Sequence, residues 1–126
     1  PELKANYFLY PFLNDQDMAR ALKAADIIVS RAGSSIFEIA ASGRPAILVP
    51  LPSSANNHQF ENAYSYAEAG AGIVVEEENM LGTLFTTQVD KLVEHKELRE
   101  KMSQAALNFY KPQAASHIAN DILSLC

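Results

Sequence analysis

Three short apolar runs constrain this chain more than any other feature. They are Asp26-Ile27-Ile28-Val29-Ser30, Ala46-Ile47-Leu48-Val49 and Ala71-Gly72-Ile73-Val74-Val75. None alternates polar with apolar residues. A strand of that kind is buried on both faces, the habit of parallel sheets covered by helices. The residues between the first two runs carry a helical period, with Ile36, Ile39 and Ala40 on one face of Ser35 to Ser42. Gly43 stands where a left-handed C-cap is needed, and Arg44-Pro45 leads into the next run. This is a compact strand-helix-strand unit. The expected class is α/β: a partial Rossmann-like, mostly parallel sheet flanked by helices, with right-handed crossovers.

The rest of the chain extends the same alternation. Tyr7-Phe8-Leu9-Tyr10 is an aromatic strand candidate stopped by Pro11. Asn14-Asp15-Gln16-Asp17 supplies capping and acidic residues for a helix that carries Met18, Leu22 and Ala25 at helical spacing. Asn56 starts a further helix, which runs to about Ala69 and ends at Gly70; Phe60, Ala63, Tyr64 and Ala67 form its buried stripe. After the acidic turn Glu76 to Asn79, helices are expected over Leu81 to Val93, His95 to Phe109 and, beyond Pro112, Ala114 to Leu125.

Size and charge narrow the function. A chain of 126 residues supports one domain and buries roughly two-thirds of its unfolded surface. The formal charge of -5 argues against a large nucleic-acid footprint, which needs clustered Lys and Arg. It leaves room for a local phosphate site, because helix N-termini hold phosphate without basic side chains. The one cysteine, Cys126, has no internal partner, as in a reduced, cytosolic protein. No apolar run approaches the ~20 residues that span a bilayer. There is no Cys-His cluster, so neither a metal nor another cofactor is expected. The chain begins at Pro1 without an initiator Met, as a fragment or processed chain would.

In open parallel sheets ligands bind beyond the C-terminal ends of the strands. Three loops meet that rule: Phe12 to Asp17, Arg31 to Ser35 and Pro50 to His58. In the Arg31-Ala32-Gly33-Ser34-Ser35 turn, Gly33 permits close backbone approach and the N–H groups of the next helix suit a diphosphate. The other reading is a plain turn with serine caps. Glu38 has two readings as well. Ser35-x-x-Glu38 is a capping box, with Ser35 at the N-cap; a carboxylate there also accepts both hydroxyls of a ribose. Asn56-Asn57-His58-Gln59 reads either as a second capping box, Asn56 with Gln59, or as a set of side chains suited to sugar hydroxyls. Arg31 neutralises phosphate or pairs with a surface acid. His95 and His117 are expected to be structural or solvated.

Taken together, three stretches resemble the C-terminal domain of MurG-type transferases, which are glycosyltransferases of the GT-B fold. They are Asp26 to Gly33, Glu38 to Pro50, and His58-Gln59-x-x-Asn62-Ala63. The likeness runs from about Tyr10 to the end. It implies an inverting transfer of N-acetylglucosamine from UDP-N-acetylglucosamine to a lipid-linked muramyl acceptor at the inner membrane face. By the same resemblance Glu38 holds the uridine ribose, and Ala32, Gly33, Ser34 and Ser35 face the diphosphate and sugar, with Arg31 at the entry to that loop. Phe12, Leu13 and Met18 lie beside the uracil, His58 and Gln59 contact the sugar hydroxyls, and Asn62 supports the same helix. A related transferase with another lipid acceptor, or a non-catalytic UDP-sugar-binding subunit of a split transferase, fits these residues too.

The family also has an N-terminal acceptor domain and a Gly-rich phosphate loop, and neither precedes Pro1. None of His58, His95 and His117 matches the family's proposed catalytic His, so no catalytic residue and no turnover by this chain alone are expected. In a 3-2-1-4-5-6 sheet, Tyr7 to Tyr10 forms an edge strand whose intervening neighbours are missing. Open strand edges then favour self-association, a partner subunit or rearrangement of that first strand.

Overall fold

The computed structural model describes residues 3–52, 57–110 and 122–124. A short 3-10 helix, Leu3–Asn6, is followed by irregular chain and then helix α1 (Asp15–Ala24). Strand β1 (Ile28–Ser30), helix α2 (Ser35–Ser42) and strand β2 (Ala46–Leu48) come next, then helix α3 (His58–Glu68) and strand β3 (Gly72–Val74). A second 3-10 helix (Glu77–Asn79) leads to helices α4 (Thr83–Glu94) and α5 (Lys96–Phe109).

The three strands pair in the order β1-β2-β3 and all run parallel. Ile28 lies opposite Ala46, which in turn lies opposite Gly72; Ser30, Leu48 and Val74 close the register at the other end. The ladder continues one residue past each strand, with Val49 N–H donating to Ser30 O at 2.8 Å and Val75 N–H to Leu48 O at 3.0 Å. The ends from which the site is built are therefore locked together.

Each sheet face has its own core. On one, Ile28, Ala46 and Leu48 pack with Ile36, Ile39 and Ala40 of α2, Ala63 and Tyr66 of α3, and Ala106 of α5. On the other, Ile47 packs with Val75, Leu92 and Met102. Burial on both faces is what the apolar runs required. Tyr66 is fully buried and meets Phe109 edge-on, with ring centroids 4.9 Å apart. Gly72 makes room for that ring, since a Cβ there would come within 2.8 Å of Tyr66 Cδ1. Burial pushes the Tyr66 hydroxyl up to about 12, and it has no hydrogen-bond partner among the described residues.

The helix starts and stops come from local chemistry. Asn14 Oδ1 accepts from Asp17 N–H at 2.8 Å and caps α1. Gly43, at φ 65°, closes α2 in the left-handed region. The Ser35–Glu38 capping box is not formed. Ser34, not Ser35, is the N-cap of α2, it makes no side-chain cap bond, and Ser35 is already helical. At α3 the N-cap is Asn57, at φ 58° and again without a side-chain cap bond, while Asn56 lies outside the described residues.

The expected strand over Tyr7 to Tyr10 is also absent. These residues form no regular element and join no ladder, and all four side chains are exposed. Strand propensity needs a neighbour to pair with, and among the described residues the sheet ends at β1. That edge is open. Ile28 and Ser30 direct their backbone groups to β2, through Ile28 N–H to Pro45 O and Val49 N–H to Ser30 O. Alternation turns the N–H and C=O of Val29 the other way, and its side chain is 46% exposed. The helix expected over Ala114 to Leu125 lies outside the described residues except for helical residues 122–124; His117 and Cys126 also lie outside them.

Candidate functional site

The turn between β1 and α2 presents backbone donors that are unpaired among the described residues. The first helical bonds of α2 are tight: Ile36 N–H donates to Gly33 O and Phe37 N–H to Ser34 O, each at 3.2 Å. The N–H groups of Gly33, Ser34 and Ser35 donate no hydrogen bond to the described residues. Unpaired donors at a helix start carry its positive dipole end and suit an anion. Ser30 Oγ and Ser35 Oγ approach to 3.5 Å across the mouth of the turn.

Helix α3 fixes this turn from behind. Asn62 Nδ2 donates to Ala32 O at 3.0 Å, and Ala32 is fully buried. A Cβ on Gly33 would lie 3.7 Å from Gln59 Nε2, so the two helix starts are adjacent. Gln59 Oε1 accepts from Leu51 N–H at 2.9 Å and anchors the loop after β2. The Asn56 end of the expected Asn56–Gln59 capping box lies outside the described residues. His58, the first residue of α3, is exposed beside it.

One turn further along α2, Glu38 faces α1 across a cavity of about 320 Å³. Met18, Ala19 and Leu22 of α1 and Ala41 of α2 give it apolar walls, with Asp15, Lys23, Glu38 and Ser42 as polar groups. Glu38 forms no hydrogen bond or ion pair with the described residues and has both carboxylate oxygens available. An apolar slot with a few convergent polar groups is the usual form of a small-ligand site.

The structure therefore brings Met18 and Glu38 into one cavity, and Ala32, Gly33, Gln59 and Asn62 into one contact, with Ser34, Ser35 and His58 at the two helix starts. Phe12 and Leu13 precede α1 and do not line the cavity; Phe12 is 83% exposed and Leu13 half-buried. Arg31 is engaged elsewhere, with Nη2 donating to Glu77 Oε1 and Nη1 reaching Val49 O at 3.4 Å. Of its two sequence readings, the acid partner is the one observed. Sequence reasoning missed Asp15, Lys23 and Ser42 as cavity residues. The signal was present in α1, where Asp15, Met18, Ala19, Leu22 and Lys23 recur at the spacing of a single helix face. Among the described residues no group of three or more His, Cys, Asp or Glu could hold a metal. No helix among them is long and apolar enough to cross a membrane.

Residues 1–120 match the family model described as glycosyltransferase family 28 C-terminal domain. The chain belongs to that family. Its relatives include enzymes named UDP-N-acetylglucosamine--N-acetylmuramyl-(pentapeptide) pyrophosphoryl-undecaprenol N-acetylglucosamine transferase. The one from Bdellovibrio bacteriovorus is 45% identical over 114 residues, 90% of this chain and 32% of the relative. The one from an Anaeromyxobacter species is 42% identical over 105 residues, 82% of this chain and 28% of the relative. The crystal structure of Acinetobacter baumannii MurG superposes with a TM-score of 0.78 at 30% identity, covering 93% of this chain and 33% of that one. This family 28 domain thus spans about a third of the length of the proteins it resembles. The expected α/β class and its GT-B relationship agree with the parallel sheet and with that superposition.

Proposed function

We propose that this family 28 domain is the donor-binding part of an inverting N-acetylglucosaminyltransferase that acts on a lipid-linked muramyl-pentapeptide in peptidoglycan precursor synthesis. The supporting observation is one arrangement: the N–H groups of Gly33, Ser34 and Ser35, unpaired among the described residues, lie one helical turn from the Glu38 cavity. In this reading Glu38 accepts both ribose hydroxyls, and Met18 borders the base with Phe12 and Leu13 at the rim. The turn holds the diphosphate, with Arg31 at its entry, and His58 and Gln59 face the sugar while Asn62 keeps the turn in place. The reaction breaks the bond from the anomeric carbon to the β-phosphate oxygen, and UDP leaves with the electron pair. An acceptor hydroxyl forms the new bond and loses its proton. The turn's oriented N–H dipoles stabilise the charge that builds on the departing diphosphate. The chain provides donor binding and leaving-group stabilisation, and the acceptor, the catalytic base and peripheral attachment to the inner membrane face belong to the whole enzyme. The chain by itself has no turnover.

Calorimetric titration with UDP-N-acetylglucosamine, UDP-glucose and UDP tests the reading. Saturable binding of all three is expected, with UDP-N-acetylglucosamine preferred over UDP-glucose and the preference reduced by His58→Ala. Equal affinity for both sugars, unchanged by His58→Ala, would remove the sugar assignment. The open β1 edge belongs to the same proposal as the surface through which a second copy or a partner subunit pairs. Sedimentation should show concentration-dependent association that Val29→Lys weakens, whereas a strict monomer at all concentrations contradicts it.

A further inference from the structure

Arg31 occupies a junction. Its backbone joins the last residue of β1 to the Ala32–Ser35 turn, and its guanidinium touches Val49 O just past β2 and Glu77 just past β3. One side chain therefore ties the C-terminal ends of all three strands. The residue it pairs with is itself held. Glu77 opens the 3-10 helix Glu77–Asn79, and Met80 N–H donates to its carbonyl at 3.1 Å. The preceding residue, Glu76, accepts from the Tyr64 hydroxyl of α3 at 2.8 Å. The acidic turn is thus fixed to α3 on one side and to Arg31 on the other. The Ala32–Ser35 turn then hangs between two supports, Arg31–Glu77 at its entry and Asn62 on the Ala32 carbonyl.

We propose that Glu77 is a positioning residue for the Ala32–Ser35 turn, acting through Arg31, and that Arg31 is a strut between strand ends rather than a ligand of the diphosphate. This rests on the donor-binding reading above. Both side chains are about half exposed, so the ion pair is screened and adds little stability by attraction alone. Its effect is geometric, since it fixes the residue from which the three N–H donors hang, and donors out of place bind an anion poorly. A guanidinium swung toward the diphosphate would leave the Glu77 carboxylate unpaired near an incoming anion, which like-charge repulsion opposes.

The test is titration of UDP and of uridine, each at low and high salt, on the wild type, Glu77→Ala, Glu77→Gln and Arg31→Gln. Circular dichroism checks the fold of each. Glu77→Ala should weaken UDP binding roughly fivefold, about the worth of one net hydrogen bond. Uridine binding should stay unchanged. Glu77→Gln keeps an oxygen for the guanidinium and should recover part of the loss. Arg31→Gln should weaken UDP binding about as Glu77→Ala does yet keep the wild-type salt dependence, because no phosphate contact is removed. Tighter UDP binding by Glu77→Ala, or a flattened salt dependence in Arg31→Gln, would overturn the proposal and make Arg31 a phosphate ligand. Unchanged UDP affinity in all three variants would overturn it too, leaving a surface ion pair. A wild type that binds neither UDP nor uridine sinks the donor-binding reading first, and this inference with it.

Discussion

Tyr66→Ala should cost about 3–5 kcal/mol, the range for removing a large aromatic ring from a packed core. A domain of this kind is stable by only about 5–15 kcal/mol, so the variant stands close to unfolding. The expectation comes from what the ring touches. Tyr66 is fully buried in the core that joins β1, β2, α2, α3 and α5, it meets Phe109 edge-on, and it lies against the space that Gly72 leaves open. No neighbour can fill that volume without moving a strand. Tyr66→Phe is the informative control. It keeps the ring and removes a hydroxyl that has no partner among the described residues, so stability should hold or rise by up to ~1 kcal/mol. Urea titrations followed by circular dichroism read both. A Tyr66→Ala loss below about 1 kcal/mol would mean that the ring is not at the centre of the core.

Glu38→Ala should weaken UDP binding by about 10- to 100-fold, as expected for two hydrogen bonds to a charged group at a partly open site. Stability should be nearly unchanged. The capping box that would have made Glu38 a structural residue is not formed, and its side chain makes no bond or ion pair with the described residues. That contrast separates the two roles. Calorimetry on Glu38→Ala and Glu38→Gln gives the affinities, and urea midpoints give the stabilities. A variant that loses stability while retaining its UDP affinity would return Glu38 to a helix-capping role.

Much of the fold was legible because its signals are local. The β1–α2–β2 unit follows from two apolar runs, a three-residue stripe in α2 and a glycine at φ 65°. The boundaries of α4 and α5 follow from their periodicity to within two residues. What escaped depends on partners distant in the chain. Tyr7 to Tyr10 has the composition of a strand, but a strand exists only beside another, and none lies next to it among the described residues. Ser35-x-x-Glu38 has the spacing of a capping box, yet the helix begins one residue earlier than that box requires. Arg31 finds Glu77 46 residues on, which no local pattern announces. The site was half legible for the same reason. Its turn, its acid and its amides sit in short motifs, while the cavity wall formed by Asp15, Lys23 and Ser42 arises only when α1 packs on α2.

Amide chemical-shift mapping during a UDP titration tests the placement of the donor most directly. The largest shifts are expected at Gly33, Ser34 and Ser35, with smaller ones at Met18 and Glu38, and those at the turn should vanish when uridine replaces UDP. Shifts centred on α4 and α5, or none at millimolar UDP, would contradict a diphosphate site at the start of α2.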